Sequence, residues 1–412
     1  MHILWIKTEL LHPVDKGGRI RTYQMLRALA SQHEVTYLTL DDGTAAPDAV
    51  AKATEYCARV EVVPFTPPAK GSIAFYSALL TNLVSPLPYA VARYEVPALR
   101  ERLRKICRER KVDVVVCDFL APSINVPDDL GVPVVLFQHN VEAMIWERHA
   151  QVATQPLKKA YMTEQWRRMK RFEAAECRRV SSVVAVSVQD AEAFRRDYGV
   201  AEVPDVPTGV DTAYFVRQPD VSRTRGSMVF TGSMDWMPNE DGIAWFVDAI
   251  LPRIRAVMPE ATLTIVGRNP TAKVKALHQP DAGVSVTGSV PDVRPYLASH
   301  QLFIVPLRVG GGTRLKIYEG MTMGLPTVST TIGAEGLPVV DGEHLVLADD
   351  PESFARACIA LLNDPARSQA MGDAADSYVR EHFGWAGVAK RFAEFCQAAI
   401  PAAPASLQFS KV

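Results

Sequence analysis

The sequence predicts an α/β protein with two doubly wound parallel sheets, and three observations carry that expectation. Apolar runs of strand length alternate with segments of helical spacing along most of the chain. Twice, such a run leads through a glycine turn into a helix: residues 2–8 before Gly17-Gly18, and residues 302–307 before Gly310-Gly311-Gly312. Between these halves, residues 203–215 hold prolines and a glycine without periodicity and read as a linker, so the boundary between domains is expected near 212–225.

The chain of 412 residues is long enough for two or three domains with ample core. Charged residues at 22% and hydrophobic residues at 48% are an ordinary soluble, globular balance. A net charge of -1 gives no reason to expect nucleic acid as a partner. The six cysteines are scattered without the close spacing of a zinc site and fit reduced thiols. The first residues read as a strand rather than a signal peptide, and no apolar run reaches the roughly 18 residues of a membrane span. The expected location is the cytoplasm, with at most contact to a membrane surface.

In the first half, residues 2–8 open the sheet and residues 19–30 read as a helix with Ile20, Tyr23, Met25 or Leu26, and Leu29 inward. Gly17 and Gly18 before it form a candidate anion loop, because glycine lets backbone N–H groups approach a ligand and the helix start adds partial positive charge. A plain turn is the alternative. Asp15 and Lys16 share that loop. Further strands are expected at 33–40, 59–65, 112–118, 132–139 and 182–187. Residues 71–96 are apolar and aromatic but interrupted by Ser85-Pro86 and Pro88; they either cover one side of the site or lie against a membrane. Arg100, Arg102, Arg104, Lys105, Arg108, Arg110 and Lys111 follow with only Glu101 and Glu109 among them, a candidate for contact with anionic lipid, the alternative being a solvated helix face. The strand at 132–139 ends on Gln138 and His139, followed by Asn140 and Glu142, at the end of a parallel strand where such sheets carry their sites. His139 is expected in the cleft, holding hydroxyls rather than acting as a strong base. Glu142 is either a base or a partner of a helix dipole. Residues 142–179 read as one long, charge-rich helical region with a second basic patch at Arg167, Arg168, Lys170 and Arg171.

The second half concentrates its chemistry at residues 301–330. The apolar run 302–307 suits a strand buried on both faces, the glycines break it, helical spacing begins at Thr313, and Gly324 stops the helix. Gly311, Gly312 and Thr313 at this start make an anion cradle. Arg314 and Lys316 flank it and can neutralise a diphosphate, arginine by its fork and lysine as a point charge. Glu319, about two turns in, can accept hydrogen bonds from sugar hydroxyls. An anion cradle beside a hydroxyl acceptor is a nucleotide-sugar site, and a β–α loop with a solvated Arg–Lys pair is the plainer alternative. The second sheet is expected to open at 228–231. The turn 232–239 after it holds no cation, so Gly232, Ser233 and Asn239 are candidate contacts through amides and small side chains. Arg268, after the strand at 261–267, is a further candidate cation. A strand at 284–290 and helices at 351–363, 365–382 and 385–399 complete the chain. No two aspartates are separated by a single residue and no ligand cluster stands out, so neither a metal nor another cofactor is expected.

At residues 310–319, at Gly17-Gly18, and at the stretch Gly209-Val210-Asp211 before Phe215, the chain resembles the retaining glycosyltransferases of family 4. These have the GT-B fold, two Rossmann-like domains facing a central cleft. The resemblance covers nearly the whole chain and is strongest over 225–350. It implies an acceptor-side domain at 1–212, a donor domain at 213–384, and a last helix and tail at 385–412 returning to the first domain. It also implies sugar transfer from a nucleotide diphosphate sugar, with UDP or GDP expected, to a saccharide or lipid-linked saccharide in cell-envelope or exopolysaccharide synthesis. His139, Arg314, Lys316 and Glu319 take catalytic roles in that reading. Gly17, Gly18, Gly232, Ser233, Asn239, Arg268, Gly311, Gly312 and Thr313 contact the donor, and Asp15, Asn140 and Glu142 the acceptor. Family members often carry two glutamates eight positions apart. Glu319 matches the second, and Gly311 stands at the first, as in a subgroup with a glycine-rich turn followed by Thr-Arg-Leu-Lys. Two alternatives stand beside the transferase: a nucleotide-sugar epimerase of the same fold, and a non-catalytic nucleotide-sugar binder, the latter also motivated by Gly320 where alanine-like residues are commoner.

Overall fold

A computed structural model describes residues 1–14, 17–69, 71–153, 155–309 and 315–401. The chain divides into two compact units, residues 1–207 with 388–412 and residues 208–387. The first contains β1 (His2–Lys7), β2 (Glu34–Asp41), β3 (Arg59–Pro64), β4 (Val114–Asp118), β5 (Val134–Phe137) and β6 (Ser182–Val184). The second contains β7 (Thr224–Thr231), β8 (Thr262–Val266), β9 (Val284–Gly288), β10 (His300–Val305), β11 (Thr327–Ser329) and β12 (Val346–Leu347). All pairings within the two sheets are parallel.

The first sheet runs β3-β2-β1-β4-β5-β6, and the second, read from its other edge, runs β9-β8-β7-β10-β11-β12. Counted within each unit, both are the 3-2-1-4-5-6 order of a Rossmann sheet, whose order reverses beside the first strand and leaves a crevice at the strands' carboxyl ends. β1, β4 and β5 are buried along their whole length, which is why they read as continuous apolar runs rather than alternating ones.

Several elements differ from expectation for identifiable reasons. β5 stops at Phe137, so His139 lies two residues beyond the ladder rather than within the strand. The helix Gly17–Ala30 begins on the two glycines, and its buried face includes Arg19 and Thr22, while Ile20 is exposed and Tyr23 is partly exposed. Polar contacts override apolar spacing there: Arg19 Nε donates to Glu9 Oε2 at 2.8 Å, and Thr22 reaches Asp118. Residues 142–179 form two packed helices, Glu142–Val152 and Pro156–Arg179, not one. Pro156 explains the break, since a proline disfavours helical geometry in the residue before it and has no N–H to continue the ladder. β7 begins at Thr224, earlier than its apolar core implies, and the two-residue β12 is too short to leave a pattern. The last helix, Trp385–Ala399, belongs from Val388 onward to the first unit, where Phe392 packs on Trp5 and Phe137 with ring centroids 5.5 and 4.8 Å apart. Among the described residues no helix is long and apolar enough to cross a membrane.

Candidate functional site

In the first unit the carboxyl ends of β1, β4 and β5 bring together Lys7, Asp118 and His139, residues far apart in the chain. The registers Ile6↔Cys117 and Asp118↔Phe137 set their strand ends side by side. Asp118 is fully buried and acts as the hub. Its Oδ2 lies 3.0 Å from Lys7 Nζ and accepts from Trp5 Nε1 at 3.1 Å and Thr22 Oγ1 at 2.6 Å, while Oδ1 lies 2.7 Å from His139 Nε2. A buried carboxylate needs this density of donors to remain ionised. Burial works against ionisation, but Lys7 and His139 prevail and hold Asp118 well below the usual carboxylate range. His139 shows the converse: burial pushes its ring down to about 4 against the pull of Asp118. The imidazole is therefore neutral at ordinary pH.

Phe119 covers this cluster. Its φ of 71° is a left-handed conformation, uncommon for a bulky residue and costing about 1–3 kcal/mol. In exchange the ring stacks on His139 at 3.9 Å and lies 4.1 Å from Lys7 Nζ. A Cβ on Gly18 would stand 3.2 Å from the same ring, so the helix start passes close by. Beside the cluster is a cleft of about 240 Å³ whose walls include Lys7, Glu9, Tyr94, Phe119, Glu142 and Met169.

Glu142 opens its helix and is half-buried, its carboxyl raised by burial against a hydrogen bond with Asn140, which is itself exposed. The helix dipole at that end is met by another residue. Glu173, fully buried on the helix Pro156–Arg179, accepts from Glu142 N at 2.8 Å and Ala143 N at 3.0 Å, and also from Gln138 Nε2 at 3.1 Å and Tyr198 Oη at 2.7 Å. Val141, at the cap position, has no side chain that could satisfy those amides. Burial raises Glu173 to about 7 despite its four donors.

In the second unit the site lies at the ends of β7 and β8 and on the helix Leu315–Thr322. Gly232 and Gly267 pass so closely that a Cβ on Gly267 would fall 1.6 Å from the Gly232 carbonyl oxygen. Lys316 Nζ donates to Asn239 Oδ1 at 2.9 Å and lies 4.2 Å from the centre of the Phe230 ring. Asn239 Nδ2 in turn donates to Ser233 O at 2.8 Å. A Cβ on Gly232 would stand 2.7 Å from that amide and 2.8 Å from the ammonium, so any larger residue would push both side chains aside. Lys316 thus supplies the cation that the turn 232–239 lacks. Arg268 donates from Nε to Ser233 Oγ at 3.0 Å, and Ser233 donates to Asp235 at 2.6 Å. Glu319 is half-buried and pushed up to about 7 by burial, Lys316 opposing the shift. Among the described residues nothing hydrogen-bonds its carboxylate. Gly320 lies against β10, where a Cβ would meet the Phe303 ring at 2.8 Å, a packing reason for a glycine that sequence alone leaves unexplained. Asp15, Gly311, Gly312, Thr313 and Arg314 lie outside the described residues.

Sequence reasoning missed Lys7, Asp118, Phe119, Glu173 and Gly267. Lys7 and Asp118 carried the signal that singled out His139, a polar residue ending an apolar strand. Glu173 carried none.

Two Rossmann sheets in one chain are the architecture of the GT-B fold. Residues 16–214 match the model described as Glycosyltransferase Family 4, and residues 225–364 the model described as Glycosyl transferases group 1. The chain is a glycosyltransferase of GT-B type, family-4-like over its first half. It is 22% identical over 392 residues to an uncharacterized 44.6 kDa protein of the cps region of Klebsiella pneumoniae, covering 92% of this chain and 96% of that one. A GDP-mannose-dependent alpha-(1-6)-phosphatidylinositol monomannoside mannosyltransferase of Mycolicibacterium smegmatis is 27% identical over 214 residues, 47% of this chain and 56% of that protein's length. Among solved structures, the sucrose-phosphate synthase of Thermosynechococcus elongatus superimposes with a TM-score of 0.65 at 16% identity, covering 97% and 98% of the two chains. Anabaena HepE in complex with UDP does so with a TM-score of 0.64 at 15% identity, covering 97% and 100%.

Proposed function

We propose that this glycosyltransferase moves a sugar from a UDP- or GDP-linked donor to a saccharide or lipid-linked saccharide, in cell-envelope or exopolysaccharide synthesis. The reading adds retention at the anomeric carbon, no metal ion, and action in the cytoplasm at the inner face of the plasma membrane. The observation that carries it is the cluster of Lys316, Asn239 and Gly232 with Glu319 one turn further along the helix: a fixed ammonium for a diphosphate, and a carboxylate that no described residue hydrogen-bonds, for hydroxyls. UDP in HepE and GDP-mannose as the mycobacterial enzyme's donor support a nucleotide-sugar here. Thr313-Arg314-Leu315-Lys316 after the glycines supports the subgroup in which backbone amides replace the first glutamate.

In this scheme the bond between the anomeric carbon and the donor phosphate oxygen breaks as the acceptor oxygen bonds to that carbon. The acceptor's proton passes to the departing phosphate oxygen on the same face. Lys316, Arg314 and the helix start stabilise the leaving diphosphate. His139, neutral, holds its neighbours in place rather than removing a proton.

A thermal-shift screen with UDP, GDP, ADP and their sugars, with EDTA and Mg²⁺ arms, tests the donor site. One nucleotide should raise the melting temperature regardless of EDTA. A carboxyl held at about 7 is protonated below that pH and ionised above it. Nucleotide affinity should therefore rise about tenfold from pH 6 to pH 8, and Glu319→Ala should flatten the profile. A shift from no nucleotide would end this reading.

A further inference from the structure

The first residues of the second unit, from Thr208, run beside its last, which end at Gly387. Val210 N donates to Phe383 O at 2.8 Å, Val210 and Gly384 form an isolated parallel bridge, and a Cβ on Gly209 would stand 2.6 Å from the Trp385 ring. Asp211 folds the entering segment into a turn, its Oδ1 accepting from Ala213 N at 3.2 Å and Tyr214 N at 2.9 Å. That turn offers two carbonyls to one side chain. Arg380 Nη1 donates to Thr212 O at 2.9 Å and Nη2 to Phe215 O at 3.4 Å.

The same guanidinium reaches the helix Leu315–Thr322. Arg380 Nη2 also donates to Thr322 O at 3.2 Å, and Thr322 Oγ1 donates back to the carbonyls of Tyr318 and Glu319 at 2.9 and 3.0 Å. Three residues after Arg380, Phe383 stacks on Tyr318 with ring centroids 4.4 Å apart. Arg380 is aimed from its own helix, Pro365–Phe383, by Asp376, whose Oδ1 lies 2.6 Å from Nε. One helical turn, Arg380 to Phe383, therefore grips the entering segment at Val210, Thr212 and Phe215, and the helix of Lys316 and Glu319 at Tyr318 and Thr322.

The grip matters because the gripped helix is short. It has 8 residues, and isolated helices under about 12–15 residues are marginal in water, so its place is set by what holds it. Asn239 holds Lys316 near its start. Two arginines hold its end: Arg380, and Arg223, whose Nη2 donates to Met323 O at 3.1 Å and Gly324 O at 3.0 Å. Among the described residues, only the first of these also donates to the carbonyls of residues 212–215.

We propose that Arg380 is a positioning residue for the helix Leu315–Thr322: it makes that helix and the entering segment 210–215 one body, so that a nucleotide held near Lys316 and Glu319 steadies the segment. The proposal rests on the donor reading of this helix. The test is hydrogen exchange of the full chain, read at residues 210–215 with and without a saturating amount of whichever of UDP or GDP raises the melting temperature. In wild type the nucleotide should slow exchange there at least about fivefold, the lower end of ordinary coupling between sites. Arg380→Ala should lose most of that protection with nucleotide still bound, and Arg380→Lys, which keeps a cationic donor, should recover part of it. Arg223→Ala removes a cap from the same helix end and should keep the wild-type protection. Equal losses in Arg223→Ala and Arg380→Ala would reduce Arg380 to a helix cap and overturn the proposal. A melting shift in wild type without protection at 210–215 would overturn it too, and would leave the donor reading standing. No melting shift with either nucleotide would remove the donor reading and this inference with it.

Discussion

The two domains share one strand order and use it in opposite ways. At the strand ends of the first, charge is internal: Lys7, Asp118 and His139 are buried, meet across 111 and 21 residues of sequence, and are covered by a phenylalanine in a left-handed conformation. At the strand ends of the second, two glycines bring backbone against backbone, and the polar groups around them, Ser233, Asp235 and Arg268, stay near the surface. A buried ionic hub fixes geometry and tolerates no missing partner. A glycine contact brings two turns together with no side chain between them. One architecture thus supports a buried charge cluster in one domain and a close backbone crossing in the other.

Removing the hub is the largest way to break this contrast. Asp118→Ala leaves Lys7 buried without its counter-charge and should cost about 3–5 kcal/mol, measured by urea unfolding. Lys7→Met with Asp118→Ala should recover a substantial part of that loss, and additive losses would show that the pair is not coupled. Gly267→Ala is next. Its methyl cannot coexist with the Gly232 carbonyl, so the two turns must separate at a cost of about 1–3 kcal/mol. Nucleotide affinity should fall with stability, because Gly232 stands between Asn239 and Lys316; unaltered affinity in a destabilised variant would detach Gly232 from the donor site. The smallest effect sharpens the picture of the first domain. Glu173→Gln keeps the shape but puts a donor where a carboxylate oxygen accepts two hydrogen bonds, and should cost about 1–2 kcal/mol. Hydrogen exchange should accelerate at Glu142 and Ala143 well beyond the global change in stability. Uniform acceleration would reduce Glu173 to a general packing residue.

The same contrast explains what the sequence disclosed. Strands buried on both faces announce themselves as apolar runs, and glycine turns before helices are local, so both sheets and the residues Gly232, Lys316 and Glu319 could be picked out by spacing. The hub is non-local. Lys7 ends an apolar strand and Asp118 ends another, but only the register that pairs β1 with β4 joins them. Thr22 and Arg19 were hidden because hydrogen-bonding partners decided which side of their helix turned inward. Glu173 was hidden because the amides it satisfies belong to a different helix.

The packing of Phe392 on Trp5 and Phe137 has a consequence for biogenesis. The first domain occupies the start of the chain, yet one of its core walls is supplied by residues translated after the whole second domain. On the ribosome it must wait with part of its sheet uncovered while some 180 residues of the other domain emerge. A nonsense mutation in the last helix would therefore damage the domain made first, and a chaperone that shields apolar strands would be needed longest at the amino-terminal end.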